Sequence, residues 1–182
     1  MNIKTHFETA WKLCVDNLLP LVILTRVLSA VSVISLGILA PVCFAGYTHS
    51  LNQLHQFNRE PQARDIFSQF RLFIPLLIFG VAVCVIAAIG FLLLVLPGLI
   101  FTLIVTYTCL YMIPVMVDME YGLVDAVKKS VGMVTGQNIL DHVIVCLIFS
   151  VLTAIGGSSF IGFLFLQPFV TLFLLSAYHE SK

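Results

Sequence analysis

Charged side chains are gathered in short clusters, and long apolar runs separate them. From Leu72 to Val117 there are 46 consecutive residues without Asp, Glu, Lys or Arg. As a single helix that run would measure about 69 Å, more than twice a ~30 Å hydrocarbon core, so it must fold back. Pro97-Gly98 divides it into 72–96 and 99–117. A proline pushes the residue before it out of the helical region, and glycine accepts turn geometry. The spacing therefore predicts that Leu96-Pro97-Gly98 is the tip of a transmembrane hairpin. That explanation is sufficient without a ligand-binding role for the Pro-Gly break.

A second long run, 142–178, is divided by Gly156, Gly157, Ser158 and Ser159, which predicts spans over 140–156 and 160–178. The first of these is short, so neighbours must bury its ends or the bilayer must thin around it. Residues 18–57 hold Arg26, apolar positions up to Tyr47, and the uncharged polar stretch THSLNQLHQ at 48–56. Forty residues accommodate two short helices, 18–35 and 37–56, turning near Ser35-Leu36-Gly37. Pro41 falls in the first turn or so of the second, where it is tolerated. The alternative is one helix over 18–45, which leaves 47–57 without a place.

The polar segments have a different period. Ile3, Phe7, Ala10, Trp11, Cys14 and Leu18 recur every three to four residues, while Lys4, Glu8, Lys12 and Asp16 lie on other faces. Residues 1–17 thus predict an amphipathic helix in the membrane interface, where Trp is favoured. Packing against the protein's own cytoplasmic loops is the other reading. This segment has no apolar core of the kind a cleavable signal needs. Ile66, Phe67 and Phe70 mark a short surface helix within 57–71. Leu123, Ala126, Val127, Ser130, Val131 and Val134 mark another within 118–141, stopping near Gly136.

Charge decides among topologies. Spans at 18–35, 37–56, 72–96, 98–117, 140–156 and 160–178 put three uncharged turns on one side of the membrane. Both terminal segments and the connections 57–71 and 118–141 fall on the other. That side holds Lys4, Lys12, Arg59, Arg64, Arg71, Lys128, Lys129 and Lys182, eight of the nine basic residues. By the positive-inside rule it is cytoplasmic. The expected fold is an all-α polytopic transmembrane bundle, six spans in three hairpins, with amphipathic surface helices and both termini in the cytoplasm.

Composition agrees. Of 182 residues, 60% are hydrophobic and 10% charged, with mean hydropathy +1.08. About 25% charge is usual for a soluble domain. The apolar runs are continuous rather than alternating, which excludes a membrane β-barrel. Net charge is zero, and no basic patch suggests a nucleic-acid partner. The five cysteines, Cys14, Cys43, Cys84, Cys109 and Cys146, have no CxxC spacing, so neither a disulfide framework nor a zinc site is expected.

Several short motifs occur in a suggestive order: Gly46-Tyr47, Asp65-Ile66-Phe67-Ser68-Gln69-Phe70, Leu94–Gly98, Ala126–Ser130 and Thr135-Gly136. They lie within 40–70 and 92–137, and with 161–180 they resemble a family of bacterial inner-membrane proteins. That family includes the YciC-like proteins and the membrane domain fused to some glycerophosphoryl diester phosphodiesterases. The resemblance covers most of the chain and implies a six-helix fold in the bacterial inner (cytoplasmic) membrane. It brings no catalytic residue, and 182 residues leave no room for the phosphodiesterase domain.

Arg26 is the one candidate binding residue. A charge near mid-span costs about 2.5–3.5 kcal/mol on insertion scales and is usually retained for a reason. No acidic residue sits in the interior of a predicted span to pair with it. Arg26 reads either as a site for a phospholipid headgroup or other anion, or as a residue snorkelling to the interface. Pro20, which can delay the start of the span, favours the second. His49 and His55 do not share a helix face, and with His142 they make poor haem ligands; His6 and His179 lie in terminal segments. Asp118, Glu120 and Asp125 match no cation-binding spacing. Gly80, Cys84 and Ala88, and Gly157 with Gly162, are small residues that let helices approach closely. Pro97, Gly98, Gly156 and Gly157 are expected to be structural turn residues.

No catalytic constellation is present: no HExxH, no paired aspartates within spans, and no Ser/His/Asp set at common depth. The expected function is a non-catalytic accessory or scaffolding protein of membrane, envelope or lipid homeostasis, without metal or cofactor. Its expected partners are membrane lipids and a membrane protein or a second copy of itself. A small-solute or lipid transporter using Arg26 is the alternative, and an intramembrane enzyme is the reading with least support.

Overall fold

The computed structural model describes residues 3–93, 95–136 and 139–182, and every regular element among them is helical. Helix α1 (Ile3–Asp16) turns through 89° into α2 (Leu18–Ile34). At the corner the Asn17 side chain donates to Leu13 O at 3.2 Å. Pro20 sits in the first turn of α2, where a missing N–H costs nothing. The chain then reverses through 35–39, with Leu36 and Gly37 at positive φ (52° and 84°).

Helix α3 (Ala40–Phe57) is the centre of the molecule, with buried side chains almost all round. It packs against α2, against the 3₁₀ turn Ala63–Phe67, against α6 (Met112–Asp118), and against α9 (Phe160–Ser181). Gly46 makes this possible. A Cβ there would lie 2.1 Å from Ile66 O, so only glycine lets the 3₁₀ backbone rest on the helix. Next to it Tyr47, fully buried, meets Thr25 Oγ1 of α2 at 3.1 Å.

Helices α4 (Phe73–Leu93) and α5 (Val95–Thr108) are apolar on every face and pack along one another. The sequence places the tip at Pro97-Gly98. In the structure both residues lie in the first turn of α5, which begins at Val95; Leu94 lies outside the described residues. Proline is tolerated in a first helical turn. Gly98 serves the packing, because a Cβ there would come 2.7 Å from the Phe91 ring and backbone, and one on Gly90 would come 2.9 Å from Gly98 Cα.

The span expected over 98–117 falls within one candidate span, Val95–Asp118, whose helical hydrogen bonding is interrupted locally. After α5 the chain turns through Cys109–Tyr111 before α6 begins. Pro114 explains the break, since it can neither donate to Leu110 O nor avoid crowding it. Ser130 of α7 (Leu123–Val134) repairs the gap: its Oγ donates to Thr108 O at 2.7 Å and accepts from Tyr111 N at 3.2 Å. Tyr107 Oη donates to Val134 O at 2.6 Å, satisfying a carbonyl at the other end of α7.

Helix α8 (Ile139–Gly157) ends on Gly156-Gly157, and the turn itself is Ser158-Ser159. Ser159 Oγ caps α9, accepting from Gly162 N at 3.0 Å. A Cβ on Gly156 would be 3.1 Å from Leu166, so the two helices approach closely there.

Among the described residues, four helices could cross a membrane by length and composition: Ala63–Leu92, Val95–Asp118, Ile139–Gly157 and Gly162–Ser181. The bent pair α1 and α2 makes a fifth if counted as one broken span. Helix α3 is too polar to be counted, because of the stretch 48–56.

Candidate functional site: a carboxylate-centred polar cluster

The stretch 48–56 acquires its meaning at the C-terminal end of α3. Asn52 and Gln56, one turn apart, donate to Asp118 Oδ1 at 3.1 and 3.0 Å. Tyr178 Oη and Lys182 Nζ donate to Asp118 Oδ2 at 3.0 and 2.7 Å. The Asp118 side chain is only 9% exposed. Four donors, one of them cationic, converge on two oxygens. A carboxylate in that setting is an acceptor only, so the arrangement holds it ionised.

Around this centre the donors order one another. Asn52 Oδ1 accepts from Gln56 Nε2 at 3.2 Å and lies 2.8 Å from His179 Nε2, which also stands 3.2 Å from Gln56 Nε2. The His179 ring stacks on His55, centroids 5.2 Å apart and nearly parallel. Tyr178 packs against Tyr111, whose hydroxyl meets His142 Nδ1 at 3.1 Å. The cluster thus ties α3, α6, α8 and α9 together.

A second carboxylate, Asp65, is buried beside α3. It accepts from Ser50 Oγ at 3.0 Å, from Arg59 Nη2 at 3.0 Å and from Gln62 N at 3.3 Å. Two of the motifs read in the sequence, Gly46-Tyr47 and the Asp65–Phe70 segment, therefore meet in space. One supplies the gap and the other fills it.

Helix α1 docks through a third polar group. His6, buried, has Nδ1 2.7 Å from Ser176 Oγ and Nε2 2.5 Å from Glu180 Oε2. Of the apolar face read in the sequence, Ala10 and Cys14 are buried beside His6, while Phe7 and Trp11 stay exposed. Trp11 is 60% exposed and touches Phe169 only edge-on. His6 takes the centre because α9 presents polar partners there.

The other candidates disperse. Arg26 stands on the exposed face of α2, and among the described residues no hydrogen bond or ion pair holds it. Glu120 pairs with Arg71 at 3.5 Å and Asp125 lies in the first turn of α7, so the three acids 118, 120 and 125 form no common site. Among the described residues no three His, Cys, Asp or Glu side chains converge as a metal would need. Gly80, Cys84 and Ala88 face outward and meet no neighbouring helix at Gly80. Pro97, Gly98, Gly156 and Gly157 lie at helix ends, as above.

Sequence reasoning missed Asn52, Gln56, Tyr178 and His179 as a unit. A signal was present: Thr48, Asn52 and Gln56 repeat every four residues, a polar stripe on one face. Nothing in the sequence, however, says which helix that stripe faces.

No protein-family model, curated protein or solved structure matches this chain. The class that fold and site define is an all-helical protein with several helices apolar enough to cross a membrane.

Proposed function

We propose that the protein is a non-catalytic integral protein of the bacterial inner membrane, related to the YciC-like family, and that it acts as an accessory or scaffolding factor in membrane, envelope or lipid homeostasis. The observation that carries this reading is that the buried carboxylates are engaged within the chain. Asp118 accepts from side chains of α3 and from Tyr178 and Lys182, and Asp65 accepts from Ser50 of α3 and from Arg59. Catalytic groups need reach to a substrate; these hold helices together.

In this proposal the membrane topology is six spans in three hairpins, α2–α3, α4–α5 with α6, and α8–α9. Two observations support it. Helix α3 is wrapped by α2, α4, α6 and α9, so its polar side chains do not meet lipid, as polar spans require. Eight of nine basic residues lie outside the spans, which favours cytoplasmic termini. Accessibility reporters inserted at 37 and 158 should read external, and at 60 and 121 internal. A cytoplasmic signal at 37 would remove the α2–α3 hairpin.

For function, the protein is extracted in native membrane discs and its co-purifying components are identified. A stoichiometric membrane-protein partner or a defined change in lipid composition on deletion is expected. If neither appears, the scaffolding reading fails. A second reading, a transporter or channel for a small solute or lipid, is favoured by one observation only, the exposed Arg26, which no hydrogen bond or ion pair holds among the described residues. Solute flux in liposomes abolished by Arg26→Leu would establish it.

A further inference from the structure

The turn between α2 and α3 is apolar where a surface turn is polar. Val33, Ile34, Leu36 and Ile38 all stand out from the structure, Ile34 at 83% and Leu36 at 90% exposure. No Asp, Glu, Lys or Arg occurs between Arg26 and Arg59. Leu36 and Gly37 both lie in the left-handed region, φ 52° and 84°. Glycine and asparagine are the residues that usually take such positions. A leucine there carries backbone strain and, in water, an exposed apolar side chain as well. In hydrocarbon the second cost disappears.

The backbone of the turn points the same way. Every N–H from Ser35 to Ala40 is bonded within the turn. Ser35 N donates to Val31 O at 2.9 Å, Leu36 N to Val33 O at 3.1 Å and Gly37 N to Ser32 O at 2.8 Å. Ile38 N donates to Ser35 O and Ala40 N to Gly37 O, both at 3.1 Å. Leu39 N is met by a side chain, Ser35 Oγ, at 3.2 Å, and the same hydroxyl donates to Ser32 O at 3.3 Å. Pro41, the next residue, has no N–H to satisfy. Water completes the donors of an ordinary surface turn. A turn that leaves no donor over meets the condition set by hydrocarbon, where an unpaired backbone group is costly. The turn between α8 and α9 differs, because Ser158 and Ser159 are exposed there.

Length adds a third observation. Helix α2 has 17 residues, about 25 Å at 1.5 Å each, and it starts at the 89° corner with α1. With α1 in the membrane interface, α2 stops about 5 Å short of the far side of a ~30 Å core.

We propose that the α2–α3 turn does not reach water: it ends within the hydrocarbon of the outer leaflet, with Ile34, Leu36 and Ile38 against lipid acyl chains and the leaflet thinned above it. Thinning is how a bilayer accommodates a short span. The proposal rests on α2 crossing the bilayer, as in the topology above. It deepens the proposed role by giving the protein a surface whose partner is the lipid acyl chain. A reporter domain inserted at 37 is carried across with the chain, whereas the native side chains stop in the hydrocarbon.

The test uses the full chain in vesicles of phosphatidylethanolamine and phosphatidylglycerol. Trp11 is the only tryptophan, so in a Trp11→Phe background one tryptophan can be placed by Leu36→Trp, Ile34→Trp, Ile23→Trp or Ser158→Trp, all at exposed positions. Acrylamide quenching reads contact with water, and quenching by phospholipids brominated at defined acyl carbons reads depth. Leu36→Trp and Ile34→Trp are expected to be quenched by acrylamide at least fivefold less than Ser158→Trp, and most strongly by bromines near the ester end of the chain. Ile23→Trp should be shielded from acrylamide and quenched by brominated lipid. Acrylamide quenching of Leu36→Trp and Ile34→Trp equal to that of Ser158→Trp, with Ile23→Trp still shielded, overturns the immersed turn. Strongest quenching by bromines at the methyl end puts the turn at the bilayer midplane and overturns its seat in the outer leaflet. Acrylamide quenching of Ile23→Trp shows instead that α2 lies outside the bilayer, and then the topology itself fails.

Discussion

Asp118 should be among the most sensitive positions in the chain, and the structure gives the size of the effect. Replacing it with alanine removes an acceptor that four donors share and leaves the buried Asn52 and Tyr178 donors facing a void, while the exposed Gln56 can turn to water. A hydrogen bond to a charged group contributes about 1.5–3 kcal/mol, so four would sum to about 6–12. That sum is too large, because the four act on the same two oxygens and are not additive. Lys182, at 41% exposure, can also return to water. Leaving partners of a buried charge uncompensated costs about 3–5 kcal/mol, and we expect Asp118→Ala to fall there. For a chain of this length that corresponds to a fall in Tm of about 6–20 °C. Asp118→Asn keeps the shape and one oxygen for Asn52 and Gln56, but it offers a donor to Lys182, so about 1.5–3 kcal/mol should be lost. The assay is thermal unfolding in a mild detergent, followed by near-ultraviolet circular dichroism, with Lys182→Met as a control that should cost less than 1 kcal/mol. If Asp118→Ala melts within 2 °C of wild type, the cluster is not what joins α3 to α9 and the reasoning is refuted.

Three further outcomes follow from local geometry. Gly46→Ala should destabilise by about 3 kcal/mol or more, at the upper end of overpacking, because its Cβ would meet a backbone oxygen that cannot rotate away; a wild-type melting temperature would show that Ile66 does not rest on α3. Ser130→Ala should cost about 1–3 kcal/mol by freeing Thr108 O and Tyr111 N at the helix break, and amide exchange should accelerate at Tyr111 but not within α5. Gly98→Ala should loosen the α4–α5 contact, because its Cβ would meet Phe91 at 2.7 Å, and the melting temperature in mild detergent should fall.

How much of this was legible in the sequence depends on which forces were involved. Long apolar runs and their interruptions announce helices, and the breaks near 35–37, 94–98 and 156–159 were visible because glycine and proline act locally. Element ends moved by a few residues where tertiary contact decided, as with Pro97-Gly98, which the packing of Gly98 on Phe91 draws into α5. The break at Cys109–Tyr111 was not foreseen, although Pro114 marks it, because the run remains apolar across it and period alone does not register a missing hydrogen bond. The burial of His6 in α1 was not foreseen for a different reason: its Ser176 and Glu180 partners lie 170 residues or more further on. Likewise Asn52 and His179 meet across 127 positions. Long-range polar pairing has no periodic signature, and the candidate site is made almost wholly of it.

The position of α3 in the chain bears on how the protein is made. Its polar side chains are satisfied by α6 and α9, yet α3 leaves the ribosome long before α9 exists. At roughly 5–20 residues per second, the interval between Asn52 and His179 is on the order of 6–25 s. For about the first half of that time a helix too polar to be comfortable in lipid has neither of its permanent partners, and after Asp118 is made it still lacks α9. The nascent chain must therefore hold α3 at the membrane surface, inside the insertion machinery, or against a helper until α9 closes over it. The last helix acts as a latch, and an interrupted chain lacking it would be recognisable to quality control by the exposed amides of Asn52 and Gln56.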